Sequence, residues 1–141
     1  KDPMYAYDEN NMLIASGGTA GYCAISKLPD SKYDLRYIQA WLNHPYTEKI
    51  FQIMGSDFEG GFIARGTYLL KKIPFVELDF DDEKQKALYE SVIISTKKIN
   101  ELNIVLEQKK DKASISVIEA EKENLSKQIE DNITKIYNLQ F

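Results

Sequence analysis

The chain has 141 residues and a mass of 16.2 kDa, enough for one domain or for a domain with a helical appendage. Its 18 Lys and Arg against 22 Asp and Glu leave a net charge of −4, which excludes a generally basic nucleic-acid coat but not a local cationic patch, while 43% hydrophobic residues exclude an intrinsically disordered chain. One cysteine, Cys23, and one histidine, His44, exclude an internal disulfide, a Cys-rich zinc site and a paired-histidine metal motif.

No apolar run approaches the ~18 residues that a membrane-spanning helix needs, and no signal peptide is visible. The sequence opens on Lys1 without an initiator Met and reads as a piece of a longer polypeptide. Its grammar changes near Phe80. Residues 1–80 hold all seven glycines, all four prolines, seven of the nine tyrosines and the only tryptophan; residues 81–141 hold no Gly, Pro or Trp. The first half therefore predicts an α+β domain, and the second an antiparallel two-helix hairpin.

In chain order, Met12 to Ser16 and Gly21 to Ser26 are short apolar runs on either side of Gly17-Gly18-Thr19-Ala20-Gly21, which predicts a β-hairpin with a tight turn. Asp34 is a capping residue for a helix in which Leu35, Ile38 and Leu42 share a face. His44-Pro45 breaks that helix. A second, from about Thr47 to Met54, ends at Gly55. A Gly-rich loop over 56–61 leads to a mixed loop-to-strand segment over 62–70. Ile73-Pro74-Phe75-Val76 predicts an edge strand, because proline cannot donate to a ladder. A long helix starts at Asp81 or Asp82. Its Leu88, Val92, Ser95, Ile99, Leu102 and Leu106 step by 4-3-4-3-4, a seam of about 3.5-residue period. Lys109 to Lys112 is a basic turn. Ser116 with Glu119 forms a candidate capping box for a last helix bearing Ile118, Leu125, Ile129, Ile133 and Ile136. Two helices joined by a short loop pack antiparallel most simply.

Candidate chemistry is sparse. Asn43-His44-Pro45-Tyr46 differs by one residue from the Asn-Pro-Pro-Tyr motif of amino-methyltransferases, which holds the amine to be methylated while an aromatic ring stacks on the flipped base. No Gly-rich cofactor turn follows a strand upstream of it, so a helix end is the better reading. His44 has no Ser or Cys partner that would make it a general base, and a structural role suits it better. Cys23 sits in an apolar run as a small hydrophobe. Asp79, Asp81, Asp82 and Glu83 place favourable charge at a helix start rather than a metal site. The Gly17–Gly21 turn lacks the lysine of a phosphate-binding loop. Each half carries a net −2, so neither holds DNA by charge alone. The densest basic and aromatic stretch is Arg65, Tyr68, Lys71 and Lys72. Arginine and lysine read guanine edges, and Tyr and Thr bind phosphates.

The order of the parts says more than any one motif. A Gly-containing hairpin precedes Arg36-Tyr37-Ile38-Gln39-Ala40-Trp41-Leu42-Asn43-His44-Pro45. A short helix and a Gly follow, then Leu69-Leu70-Lys71-Lys72-Ile73-Pro74-Phe75, then a long helix opening near Asp81 to Gln85. The chain ends with Ile129-Glu130-Asp131-Asn132 and Ile136-Tyr137-Asn138-Leu139. From about Met12 to Leu139 this resembles the TaqI-like C-terminal specificity domains, the target-recognition domains of type IIG restriction–modification enzymes and adenine-specific DNA methyltransferases. The sequence departs from that pattern at His44 and at Phe75-Val76, positions that touch packing, and at Asn138.

The resemblance implies a bacterial, cytoplasmic module with no catalytic residues and no metal of its own. It would recognise double-stranded DNA and position a methyltransferase domain of the same polypeptide. S-adenosylmethionine would belong to that domain, and Mg to a fused nuclease if one is present. The expected boundaries are 1–80 for recognition and 81–141 for the coiled-coil-like hairpin. DNA-contacting candidates, chosen by chemistry, are Ser16, Thr19 and Tyr22 at the hairpin tip, Arg65, Thr67 and Tyr68 on the second segment, and Lys71 and Lys72 for phosphates. The alternative is a helical-hairpin module that binds protein and no DNA, which the heptad seam and the acidic balance support.

Overall fold

A computed structural model describes residues 5–12, 24–55, 57–58, 62–63 and 66–139. Asp34 accepts the Arg36 backbone N–H at 2.7 Å and starts α1 (Leu35–Leu42). Its buried face is Tyr37, Ala40, Trp41 and Leu42, while the expected Leu35 and Ile38 are only half-buried. Asn43 ends α1, and α2 (Pro45–Met54) starts at once, two residues earlier than the sequence predicts. Proline suits the first helical position because its missing N–H is unpaired there anyway, and His44 supplies the cap.

The expectation of an α+β fold is corrected: the described chain is helical. Its one strand pairing is the two-residue antiparallel ladder of β1 (Asp57–Phe58) with β2 (Phe62–Ile63). Two residues a side cannot form a layer with a core face. The hairpin expected around Gly17–Gly21 lies outside the described residues. Residues 67–70, expected to lead into a strand, form a helical turn, α3 (Thr67–Leu70). Ile73-Pro74-Phe75-Val76, expected as an edge strand, pairs with no strand, and residues 73–79 run without helix or ladder. Ile73, Val76 and Leu78 are buried, and side chains replace the missing ladder partners. Leu78 donates its N–H to Tyr33 Oη at 2.8 Å and accepts from Lys32 Nζ at 3.3 Å; Asp79 N–H donates to Gln85 Oε1 at 2.9 Å. These bonds fasten the C-terminal end of this strap in place of ladder partners.

Asp82 caps α4 (Glu83–Gln108), accepting from Lys84 N–H at 2.8 Å and Gln85 N–H at 3.4 Å. The Gln85 side-chain amide, which donates to the same carboxylate at 3.1 Å, and then these backbone bonds hold its pKa below the usual range. Lys109–Asp111 is the turn into α5 (Lys112–Asn138). The capping box at Ser116 is not used: Asp111 accepts from Ser114 N–H at 2.8 Å and starts the helix earlier. The two helices lie antiparallel, with Asn132 donating to Ser91 Oγ at 3.0 Å. The predicted seam residues are buried or half-buried throughout, and Val92, Ser95 and Leu102 of α4 and Ile129, Ile133 and Ile136 of α5 are the buried ones.

One apolar cluster joins α1, Phe51 of α2, Leu69 of α3, the strap and both long helices. At its edge Tyr33 meets Tyr37, Phe75, Phe80 and Tyr89 with ring centroids 4.9–6.0 Å apart. Burial pushes the Tyr37 and Tyr89 hydroxyls up. Tyr89 Oη accepts the Asp34 N–H at 2.7 Å, tying the start of α1 to α4. No helix among the described residues is long and apolar enough to cross a membrane.

Candidate nucleic-acid interface

The turn α3 places four of the expected DNA-contacting residues together. Gly66 enters it in an extended conformation, and its carbonyl accepts from Leu69 N–H at 3.0 Å and Leu70 N–H at 3.2 Å. Leu69 and then Ile73 are buried and anchor the turn in the core. Thr67, Tyr68, Lys71 and Lys72 face outward, with Tyr68 71% exposed. In a strand, alternation would send Lys71 and Lys72 to opposite faces. The helical turn instead sets both beside Tyr68, at i+3 and i+4. Lys72 Nζ hydrogen-bonds Tyr68 Oη and lies 4.0 Å from its ring centroid. None of the ion pairs among the described residues includes Lys71 or Lys72. Ser16, Thr19, Tyr22 and Arg65 lie outside the described residues.

The Asn43-His44-Pro45-Tyr46 segment is a structural junction. Asn43 Oδ1 accepts the Tyr5 N–H and Asn43 Nδ2 donates to the Tyr5 carbonyl, both at 2.9 Å, so one amide engages an extended segment as a neighbouring strand would. Gln39 also donates to the Tyr5 carbonyl, at 3.2 Å, and exchanges two amide hydrogen bonds with Asn100 of α4. One turn earlier, Arg36 lies 4.4 Å from the Tyr7 ring centroid and 3.7 Å from Glu9. Thus Arg36, Gln39 and Asn43 make a polar stripe that holds residues 5–9 along α1.

His44 is 3% exposed. Its Nδ1 accepts the Tyr46 N–H at 3.1 Å, so its proton sits on Nε2, which donates to the Glu130 carbonyl at 3.2 Å with Thr134 Oγ1 at 3.3 Å. Burial lowers its pKa, partly opposed by Glu130. Beside it, Thr47 Oγ1 donates to the Trp41 carbonyl at 2.6 Å and lies 3.0 Å from Tyr137 Oη. Both groups are committed to holding α5 against the α1–α2 corner. Sequence reading missed this network because amide pairs carry no period. A cleft of about 170 Å³ lies beside it, lined by Gln39, Thr96, Asn100 and Glu130 among others. The described residues contain no group of three or more His, Cys, Asp or Glu that could hold a metal ion.

No protein-family model matches the chain, and no solved structure matches it. It is 33% identical over 135 residues, 96% of its length, to the type II restriction enzyme and methyltransferase RM.Eco57I of Escherichia coli. It spans 13% of that protein's length. The chain is therefore related, nearly end to end, to one segment of a restriction–modification enzyme.

Proposed function

We propose that this chain is a DNA target-recognition module of a restriction–modification polypeptide, of the TaqI-like specificity kind, which seats an adenine methyltransferase domain on its site. The observation that carries the reading is the similarity over 96% of the chain to a segment of a protein named for both restriction and methylation. The outward face of α3 suits it: two cations in no ion pair among the described residues and a hydroxyl-bearing ring stand on a turn anchored by buried Leu69 and Ile73. The recognition part spans 1–80 and the hairpin 81–141 props it. Ser16, Thr19, Tyr22, Arg65, Thr67 and Tyr68 supply contacts to bases and backbone; Lys71 and Lys72 hold phosphates. Methyl transfer, with S-adenosylmethionine, belongs to the partner domain, which flips the target base.

The test is selection from a pool of random duplexes by the full polypeptide that carries this chain. Enrichment of one motif is expected, and Arg65→Ala is expected to relax one position of it, a loss of about 1–3 kcal/mol there. Retention without a motif, or none at low salt, refutes the reading. The competing reading, a protein-binding hairpin, draws on exposed Ile104 and Val117, 49% and 68% accessible. Concentration-dependent association in sedimentation, unmoved by DNA, would favour it.

A further inference from the structure

We infer that Tyr68, Lys71 and Lys72 form one phosphodiester clamp, so that Tyr68 contacts the DNA backbone and reads no base. The inference rests on the DNA-recognition reading and divides its candidate residues by role. Three observations carry it. First, Lys72 Nζ and Tyr68 Oη are within hydrogen-bonding distance of each other, so their remaining donors converge and a single anionic oxygen can accept from both. A tyrosine aimed at a base edge would have its hydroxyl clear of a lysine. Second, the ammonium lies 4.0 Å from the ring centroid, where the ring's negative face holds it in place. The cation is therefore oriented before DNA arrives, and little side-chain freedom is lost on binding. Third, no ion pair among the described residues draws Lys71 or Lys72 away. Lys71, one residue earlier on the same exposed turn, adds a second positive charge beside the same point.

The base under the clamp is firm. Leu69 and Ile73, 5% and 7% exposed, alternate with the clamp residues and fix the turn to the core. A phosphate contact made here sets the register of the module on the duplex without carrying sequence information.

The experiment is a double-mutant cycle on the full polypeptide that carries this chain, with Tyr68→Phe, Lys72→Ala and both. Binding is measured to a selected duplex and to an unrelated duplex over a salt series. Lys72→Ala is expected to weaken both duplexes by the same factor and to lower the magnitude of the log–log salt slope by about 0.9. The wild-type advantage over it therefore shrinks about 3.5-fold from about 50 to about 200 mM salt. Tyr68→Phe is expected to weaken both duplexes by about ten- to a hundredfold, as loss of a hydrogen bond to a charged acceptor does, with the slope unchanged. The double variant is expected to lose less than the product of the single losses. Tyr68→Phe that alters the ratio of selected to unrelated binding overturns the clamp, because it makes Tyr68 a base reader. Independent, multiplicative losses also overturn it. Wild-type protein that binds neither duplex overturns the DNA reading and the clamp with it, which separates the two failures. Far-ultraviolet dichroism of each variant is expected to match wild type, since both side chains are exposed.

Discussion

Replacement of His44 isolates the joint on which the helical frame closes. The imidazole makes two bonds of opposite sense: Nδ1 accepts from Tyr46 N–H at the start of α2, and Nε2–H donates to the Glu130 carbonyl on α5. Loss of an N-cap costs about 1 kcal/mol, loss of the second bond about 1 kcal/mol, and the void left at a site 3% exposed about 1 kcal/mol more. His44→Ala is thus expected to destabilise by about 3 kcal/mol by these same terms. His44→Asn keeps a capping oxygen and loses only the reach to α5, so it should recover about 1 kcal/mol. Urea unfolding followed by circular dichroism measures both. Acid gives an independent handle. Burial lowers the His44 pKa in the folded protein, so the unfolded chain binds this proton more readily. Stability from the neutral ring is present above the unfolded value, near ~6.5, and declines as pH falls through it toward the lower folded value. Protonation also turns Nδ1 into a donor facing the Tyr46 N–H, which abolishes the cap. Glu130, Thr134, Tyr46 and Tyr137 face the ring. Wild type should lose stability from about pH 7.5 to about pH 5.5 more steeply than His44→Asn. Parallel profiles, or an Asn variant as weak as the Ala variant, would refute the joint.

Other residues give sharper single outcomes. Ile133→Ala, at a site with no exposure, is expected to lose about 2–5 kcal/mol in urea unfolding. Gln39→Ala and Asn100→Ala, which break a reciprocal amide pair, should show a coupling of about 0.5–1.5 kcal/mol in a double-mutant cycle. Lys127→Ala, by contrast, removes an exposed i,i+4 pair with Glu123 at 2.8 Å and should leave the unfolding midpoint unchanged, because solvent screens such pairs.

The second half of the chain was legible because one period governs it. Leu88, Val92, Ser95, Ile99, Leu102 and Leu106 keep a 3.5-residue step, and α4 buries or half-buries every one of them. Asp34 and Asp82 were legible as caps because short carboxylates before an apolar run have few better roles. Strands were inferred from short apolar runs, and there the reading failed. Ile73-Pro74-Phe75-Val76 has the composition of an edge strand, yet Tyr33, Lys32 and Gln85 supply hydrogen bonds to Leu78 and Asp79, the end of the same strap. Nothing in the strap's own sequence announces partners 45 residues away. At the candidate interface the residue types were legible and their geometry was not. Thr67 to Lys72 reads as a loop entering a strand, whereas burial of Leu69 and Ile73, four residues apart, winds the segment into a helical turn.

That turn separates folding from the proposed recognition within one short segment. Leu69 and Ile73 belong to the core cluster, while Tyr68, Lys71 and Lys72 point away from it. Surface substitutions far from buried features change stability by only about 0.5 kcal/mol in either direction. The outward positions are therefore free to change chemistry without endangering the frame. Replacing Thr67, Tyr68, Lys71 and Lys72 together should leave the unfolding midpoint within the error of wild type while abolishing the DNA contact proposed for them. Leu69→Ala should do the reverse in part, losing about 2–5 kcal/mol while every polar group of the interface stays in place. If the fourfold variant unfolds as readily as Leu69→Ala, the outward face is holding the fold together, and an interface that must also stabilise the chain could not be exchanged to read a different site.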